Sequence, residues 1–264
     1  MSETWLIDLG SSRVKWQVRS ASGTVLERGQ WEGAADPLDQ ALPKTPPSAV
    51  WLARVGPIGR EQSLRSAIRA RHGDRAVHSV RPQPDGPAGL CLDYDCSQFG
   101  ADRYCALVGV LGRTRAPAVV IDAGTAVTID LLGADGRHLG GYILPGLRRG
   151  LSAVSELLPA ELQARVGPAL GRAPASGKSC HPGHDTAEAL IQGWMHGLAG
   201  AVERLGSRDR VGDAAGGGEW WLTGGDAPWL AGLLERPARV EPDLVFDGLW
   251  LCARGEGSNP GARG

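Results

Sequence analysis

The stretch WLIDLGSSRVKW (residues 5–16) passes from an apolar run into Asp8, then Gly10, two hydroxyl residues and Lys15. AVVIDAGTAVTIDL (residues 118–131) repeats the order with an apolar run, Asp122, Gly124, Thr125 and a second apolar run. A Gly-rich turn between two strands leaves backbone N–H groups pointing outward, and such a concavity binds phosphate oxygens. The hydroxyls of Ser11, Ser12 and Thr125 add further donors. A carboxylate at the strand end repels phosphate. Each Asp therefore makes sense with a cation between the two charges, or with a proton to remove. Two such loops at the heads of two half-chains describe phosphate handling from both sides of a cleft. A third segment, WLTGGDAP (221–228), sets a strand before a double Gly, and in a two-lobed nucleotide-binding fold it would lie against the adenosine.

FGADRYCALVG (99–109) carries a different chemistry. Asp102 either caps a helix start, where the helix dipole favours a negative charge, or accepts a proton from a hydroxyl. Arg103 is suited to a carboxylate. Tyr94 and Asp95 lie just upstream.

The elements that position these residues alternate. Strands are expected at 4–8, 14–20, 24–31, 49–55 and 76–82. Residues 60–73 carry Leu64 and Ile68 at helical spacing, and 99–114 reads as a loop entering a helix. Strands follow at 118–123 and 126–132. GGYILPGLRRGLSAVSELL reads as a Gly/Pro loop entering a helix, and 165–183 as a surface loop. Residues 185–205 form the strongest helix, capped by Asp185 or Thr186. Alternating strands and helices argue for α/β layers. The repeated strand–DxG–strand unit argues for an internal duplication.

The chain has 264 residues, 42% of them hydrophobic, which is enough for one large or two modest cores. A net charge of −1 gives no electrostatic reason to expect nucleic acid or membrane binding. No apolar run reaches membrane-spanning length. The five cysteines form no CxxC pair, and no leader of the secretory kind is visible, so a cytoplasmic protein with free thiols is expected.

Taken together, the two DxG loops and the LTGGD segment resemble the actin, sugar kinase and heat-shock chaperone superfamily. IDLGSSRVKW, GADR, IDAGTAVTID, GGYILPGL, HDTAEALIQG and LTGGD, in that order over residues 4–250, more narrowly resemble type III pantothenate kinases. The resemblance implies an α/β fold of two actin-like (ribonuclease H-like) lobes related by duplication, with ATP in the cleft between them. The lobes would span 1–114 and 115–253, followed by a disordered tail at 254–264. The implied activity is ATP-dependent phosphorylation of pantothenate to 4′-phosphopantothenate, the first step of coenzyme A synthesis. By the same resemblance Asp8, Leu9, Gly10, Ser11, Ser12, Arg13, Val14 and Lys15 form the first ATP loop, with Asp8 near Mg²⁺. Thr125 is the second phosphate contact, and Asp122 binds a monovalent cation, K⁺ or NH₄⁺. Tyr94, Gly100, Ala101, Asp102, Arg103 and Thr186 contact pantothenate, with Asp102 as the proton acceptor. The family is homodimeric. Trp194, Met195, Leu198 and Val202 on the 185–205 helix are more apolar than one packing face needs, which favours a dimer. The family usually has Asn-Thr where this chain has Ser11-Ser12. A nucleotide-binding regulator, or a kinase for another small carboxylate or sugar, therefore stays open.

Overall fold

A computed structural model describes residues 3–11, 13–32, 42–56, 58–171, 181–207 and 218–256. They divide into two compact units. One holds the residues up to Thr114 together with those from Asp243 onward, and the other runs from Arg115 to Pro242.

In the first unit β1 (Thr4–Leu9) is apolar throughout its middle because neighbours cover it on every side. Trp5, Leu6 and Ile7 are fully buried. β2 (Arg13–Arg19) pairs with β1 antiparallel, and β3 (Val25–Glu32) pairs with β2 antiparallel. β4 (Ala49–Arg54) runs parallel to β1, and β5 (Ala76–Ser79) parallel to β4. Helix α1 (Ile58–His72) connects β4 to β5 and adds Leu64 and Ile68 to the core of Trp5, Ile7, Val50 and Leu52.

Helix α2 (Ala101–Leu111) is buried at every residue except Asp102. A helix that is apolar all round must be covered all round, and α7 (Leu244–Glu256) supplies one of the covers. The two backbones touch. A Cβ built on Gly248 would lie 1.7 Å from the Cys105 carbonyl oxygen, a distance no side chain tolerates. A polar tether fixes α7 further. The buried Arg19 donates to Gln17 Oε1 at 2.9 Å and to Asp247 Oδ1 at 2.7 Å, and Gln17 Nε2 donates to Asp243 Oδ1 at 2.7 Å. Arg113 also pairs with Asp247. Residues 243–253, expected in the second lobe, therefore pack in the first. The cause is a fit between elements far apart in the chain. The expected disordered tail begins inside α7, which continues to Glu256. Its remaining residues, 257–264, lie outside the described residues.

In the second unit β6 (Ala118–Ala123), β7 (Ala126–Leu132) and β8 (Arg137–Pro145) form an antiparallel meander. β9 (Glu219–Thr223) runs parallel to β6, and β10 (Arg239–Val240) parallel to β9. The order β8-β7-β6-β9-β10 repeats β3-β2-β1-β4-β5 with the same strand directions. The duplicated α/β unit expected from the two DxG motifs is thus present in both halves. Helices α3 (Leu147–Ser155), α4 (Ala160–Gly171) and α5 (Thr186–Gly206) lie between β8 and β9 in the chain, and α6 (Ala227–Leu233) follows β9.

Two segments differ from expectation. GGYILP is strand rather than loop: Tyr142 and Leu144 alternate onto the core, and Pro145 takes the last strand position, where a missing N–H is tolerated. Residues 165–171 extend α4 instead of opening a loop, because Val166 is fully buried. On α5, Met195, Leu198 and Val202 lie in this unit's own core, so most of the apolar surplus assigned to a dimer is used within the chain. Among the described residues no helix is long and apolar enough to cross a membrane.

The contact between α2 and α7 makes a direct prediction. Gly248→Ala forces the two helices apart and should lower stability by about 1–3 kcal/mol, the usual effect of overpacking. Urea denaturation measures it, and an unchanged midpoint would refute backbone contact between the helices.

Candidate active site

Asp8 stands near the end of β1, directly opposite Lys15 on β2. Asp102 occupies the first turn of α2, and its Oδ1 accepts the Arg103 N–H at 2.7 Å. Both carboxylates are half-buried. Burial first, and the Asp102 charge second, push the Asp8 carboxyl up to about 7, while Lys15 pulls it down. The fold therefore sets two acidic groups close enough to oppose each other's ionisation. Among the described residues no group of three or more His, Cys, Asp or Glu is gathered. A divalent ion here would rest on one or two carboxylates plus ligand oxygens, which is how Mg²⁺ binds with phosphates.

Arg103 is buried, with its guanidinium 4.3 Å from the Phe99 ring centroid and 5.9 Å from that of Tyr94. The two rings meet edge to face at 5.0 Å. Aromatic faces attract a cation and hold it in place. Phe99 is buried, whereas Tyr94 is 43% exposed and so open to a ligand. The intervening turn is tied by Asp95, which accepts from the Ser97 hydroxyl at 2.6 Å, the Ser97 N–H at 2.9 Å and Gln98 Nε2 at 2.6 Å. Those bonds hold its carboxyl below the usual carboxylate range. Gly100 caps α2 in extended backbone, and Ala101 is buried. Nothing in the sequence singles out Phe99 beyond its place next to Gly100.

The first loop divides by environment. Leu9 and Val14 are buried in the core, so any contact they make with a ligand runs through their backbone. Ser11 is exposed and Arg13 half-buried, while Ser12 lies outside the described residues. The carbonyls of Gly10 and Ser11 accept from Arg60 Nη1 at 2.6 and 2.7 Å. Nothing in the sequence near Arg60 pointed to this contact.

In the second unit the β6–β7 turn closes by a bond from the Gly124 N–H to the Ala126 carbonyl at 3.0 Å. Gly146, the N-cap of α3, donates its N–H to the Thr125 carbonyl at 3.1 Å, so the positive end of α3 adjoins the turn. Asp226 N–H donates to the Ala123 carbonyl at 2.9 Å. Gly224, at φ +95°, closes the group: a Cβ there would lie 2.5 Å from Asp122 Oδ1. Asp122 is half-buried and Thr125 exposed. The LTGGD segment thus packs against the second DxG turn, an arrangement its sequence did not reveal. Thr186 is exposed on the first turn of α5, positioned by a separate device. There Asp185 accepts the Glu188 N–H at 2.8 Å, and Glu188 accepts the His184 N–H at 3.0 Å.

The raised Asp8 carboxyl has a consequence for stability. A folded-state value above the ordinary carboxylate range means that the folded protein binds the proton more tightly than the unfolded chain. The stability held by protonated Asp8 is complete in acid and is lost as pH rises to about 7. Asp8→Asn should therefore melt several degrees above the wild-type chain at pH 8, with the gap closing near pH 4. Thermal melts of ligand-free protein across that range test it, and a variant no more stable at pH 8 would refute the crowding of Asp8.

Comparison with known proteins identifies the family and the fold. The profile of the type III pantothenate kinase family matches residues 5–208. A type III pantothenate kinase from Alkalilimnicola ehrlichii is 34% identical over 263 residues, which is 96% of this chain and 99% of that protein. Among solved structures, a conserved protein described as a Baf family transcriptional activator from Campylobacter jejuni matches with a TM-score of 0.62 at 20% identity, covering 97% of this chain and 100% of that one. An activator of 2-hydroxyisocaproyl-CoA dehydratase from Clostridium difficile with bound ADPNP matches with a TM-score of 0.53 at 13% identity, covering 99% and 98%. The structural matches establish the actin-like fold, and the family profile together with the sequence match shows that the chain belongs to the type III pantothenate kinase family.

Proposed function

We propose that this protein transfers the γ-phosphoryl group of ATP to the primary hydroxyl of pantothenate, giving 4′-phosphopantothenate at the first step of coenzyme A synthesis. The observation that carries the reading is the first turn of α2. There a half-buried carboxylate and an aromatic-backed guanidinium stand on adjacent residues, Asp102 and Arg103. One small acid with a hydroxyl at its other end can be read by that pair. Arg103 binds the carboxylate, Tyr94 and Thr186 contact the rest of the substrate, and Asp102 accepts the hydroxyl proton. The backbone of the first loop and the hydroxyls of Ser11, Ser12 and Thr125 hold the phosphates. Phosphoryl transfer of this kind depends mainly on positioning and on offsetting charge.

The crowded pair of Asp8 and Asp102 suits a divalent cation, and we assign Mg²⁺ to Asp8. Asp122, set beside the Ala123 carbonyl at Gly224, offers hard oxygen donors to K⁺ or NH₄⁺. When bound, the cations offset the charge of the triphosphate. The four described cysteines are free thiols, which fits a cytoplasmic enzyme. A homodimer belongs to the same reading, supported by family likeness and by the exposed apolar residues Ile143 and Leu157. Light scattering at micromolar concentration should give twice the chain mass, and a monomer would remove the dimer from the proposal.

The direct test is pantothenate-dependent ADP release. Asp102→Asn keeps the size of the side chain but cannot accept a proton, so kcat should fall by about 10²–10⁴-fold, the usual share of a general base, with ATP binding retained. Asp122→Asn should instead weaken ATP binding and abolish the dependence on K⁺ or NH₄⁺. Calorimetric ATP titrations and steady-state kinetics on both variants separate the roles. ATP binding without pantothenate-dependent turnover in the wild-type protein would favour a nucleotide-binding regulator.

A further inference from the structure

Arg60 lies in the first turn of α1 and reaches back to the first loop. Its Nη1 donates to the Gly10 carbonyl at 2.6 Å and to the Ser11 carbonyl at 2.7 Å. The guanidinium also lies 6.0 Å from the Trp31 ring centroid on β3. The next residue, Glu61, is buried and anchors this end of α1. It accepts from Arg65 Nε at 2.9 Å and Ser79 Oγ at 2.6 Å, and pairs with Arg54 Nε at 2.8 Å. Arg60 is therefore presented from a fixed base, not from a loose helix end.

A peptide unit is planar, and its N–H points opposite to its carbonyl. Pinning the Gly10 carbonyl toward α1 turns the Ser11 N–H to the other side. Without the pin, the glycine permits the peptide to rotate, and a carbonyl oxygen facing a phosphate repels it. We infer that Arg60 is a positioning residue for the nucleotide: by holding two successive carbonyls of the first loop, it keeps the loop's N–H groups aimed at the phosphates. This rests on the reading of that loop as the ATP-phosphate loop.

The test is steady-state kinetics on the full chain with Arg60→Ala and Arg60→Lys. Arg60→Ala should raise KM for ATP about tenfold, the loss expected for charge-assisted hydrogen bonds. KM for pantothenate and kcat should stay within about threefold of wild type. Arg60→Lys should recover part of the loss, because an ammonium still donates to carbonyls. A general loss of fold would instead weaken both substrates together and would not be rescued by Lys. Equal losses for ATP and pantothenate, or an unchanged KM for ATP, overturn the inference while leaving the kinase reading intact. A wild-type chain with no pantothenate-dependent ADP release overturns both.

Discussion

The backbone contact between α2 and α7 is the constraint on which the candidate site depends. A charged first turn on a helix can be held in place only if the rest of the helix cannot move. Gly248 lets α7 lie on the Cys105 carbonyl, and α2 is consequently buried on all residues but Asp102. The polar tether through Arg19, Gln17, Asp243 and Asp247 satisfies the charges that this burial brings in. Buried charges are tolerated only when paired and hydrogen-bonded. Asp102 and Arg103 therefore emerge from a packed element, which gives the first turn of α2 the rigidity that the proposed base requires.

Electrostatics then gives the site its character. Burial first, and the opposing charge of Asp102 second, raise the free energy of an ionised Asp8 in the ligand-free state, with Lys15 offsetting only part of it. Such a pair is poorly adapted to stability and well adapted to receiving positive charge. Arg103 is handled differently: Phe99 and Tyr94 set against its guanidinium two rings, which hold a cation without being counter-ions themselves. The same short segment thus sets a carboxylate and an aromatic-flanked guanidinium on adjacent residues.

The two units share one strand order but secure their DxG turns differently. In the first, a side chain adds to a backbone bond from the Val55 N–H to the Leu9 carbonyl: Arg60 on α1 reaches the Gly10 and Ser11 carbonyls. In the second, backbone does it: Gly146 donates to Thr125, Asp226 donates to Ala123, and Gly224 allows the Asp122 carboxylate to approach. A duplicated framework preserves the position of a turn, while the means of fixing it follows whichever element packs there.

Local pattern was enough to determine a good deal. The two apolar runs ending in DxG placed β1 and β6, the spacing of Leu64 and Ile68 placed α1, and Asp185 placed the start of α5. Each is a short-range signal in which propensity, period and cap agree. The GADR run likewise made Asp102 and Arg103 candidates without any structure. Tertiary structure alone decided the rest, because those features are contacts between residues distant in the chain. Nothing within Leu244–Glu256 says that it completes the first unit, since its partner faces belong to α2 and β2. Nothing near Asp8 says that Asp102 will raise its pKa, and nothing near Arg60 says that two carbonyls of the first loop await it. A sequence records which groups are present and how they are spaced along the chain. Which of them oppose, pin or cover one another depends on through-space distance, and only packing sets that.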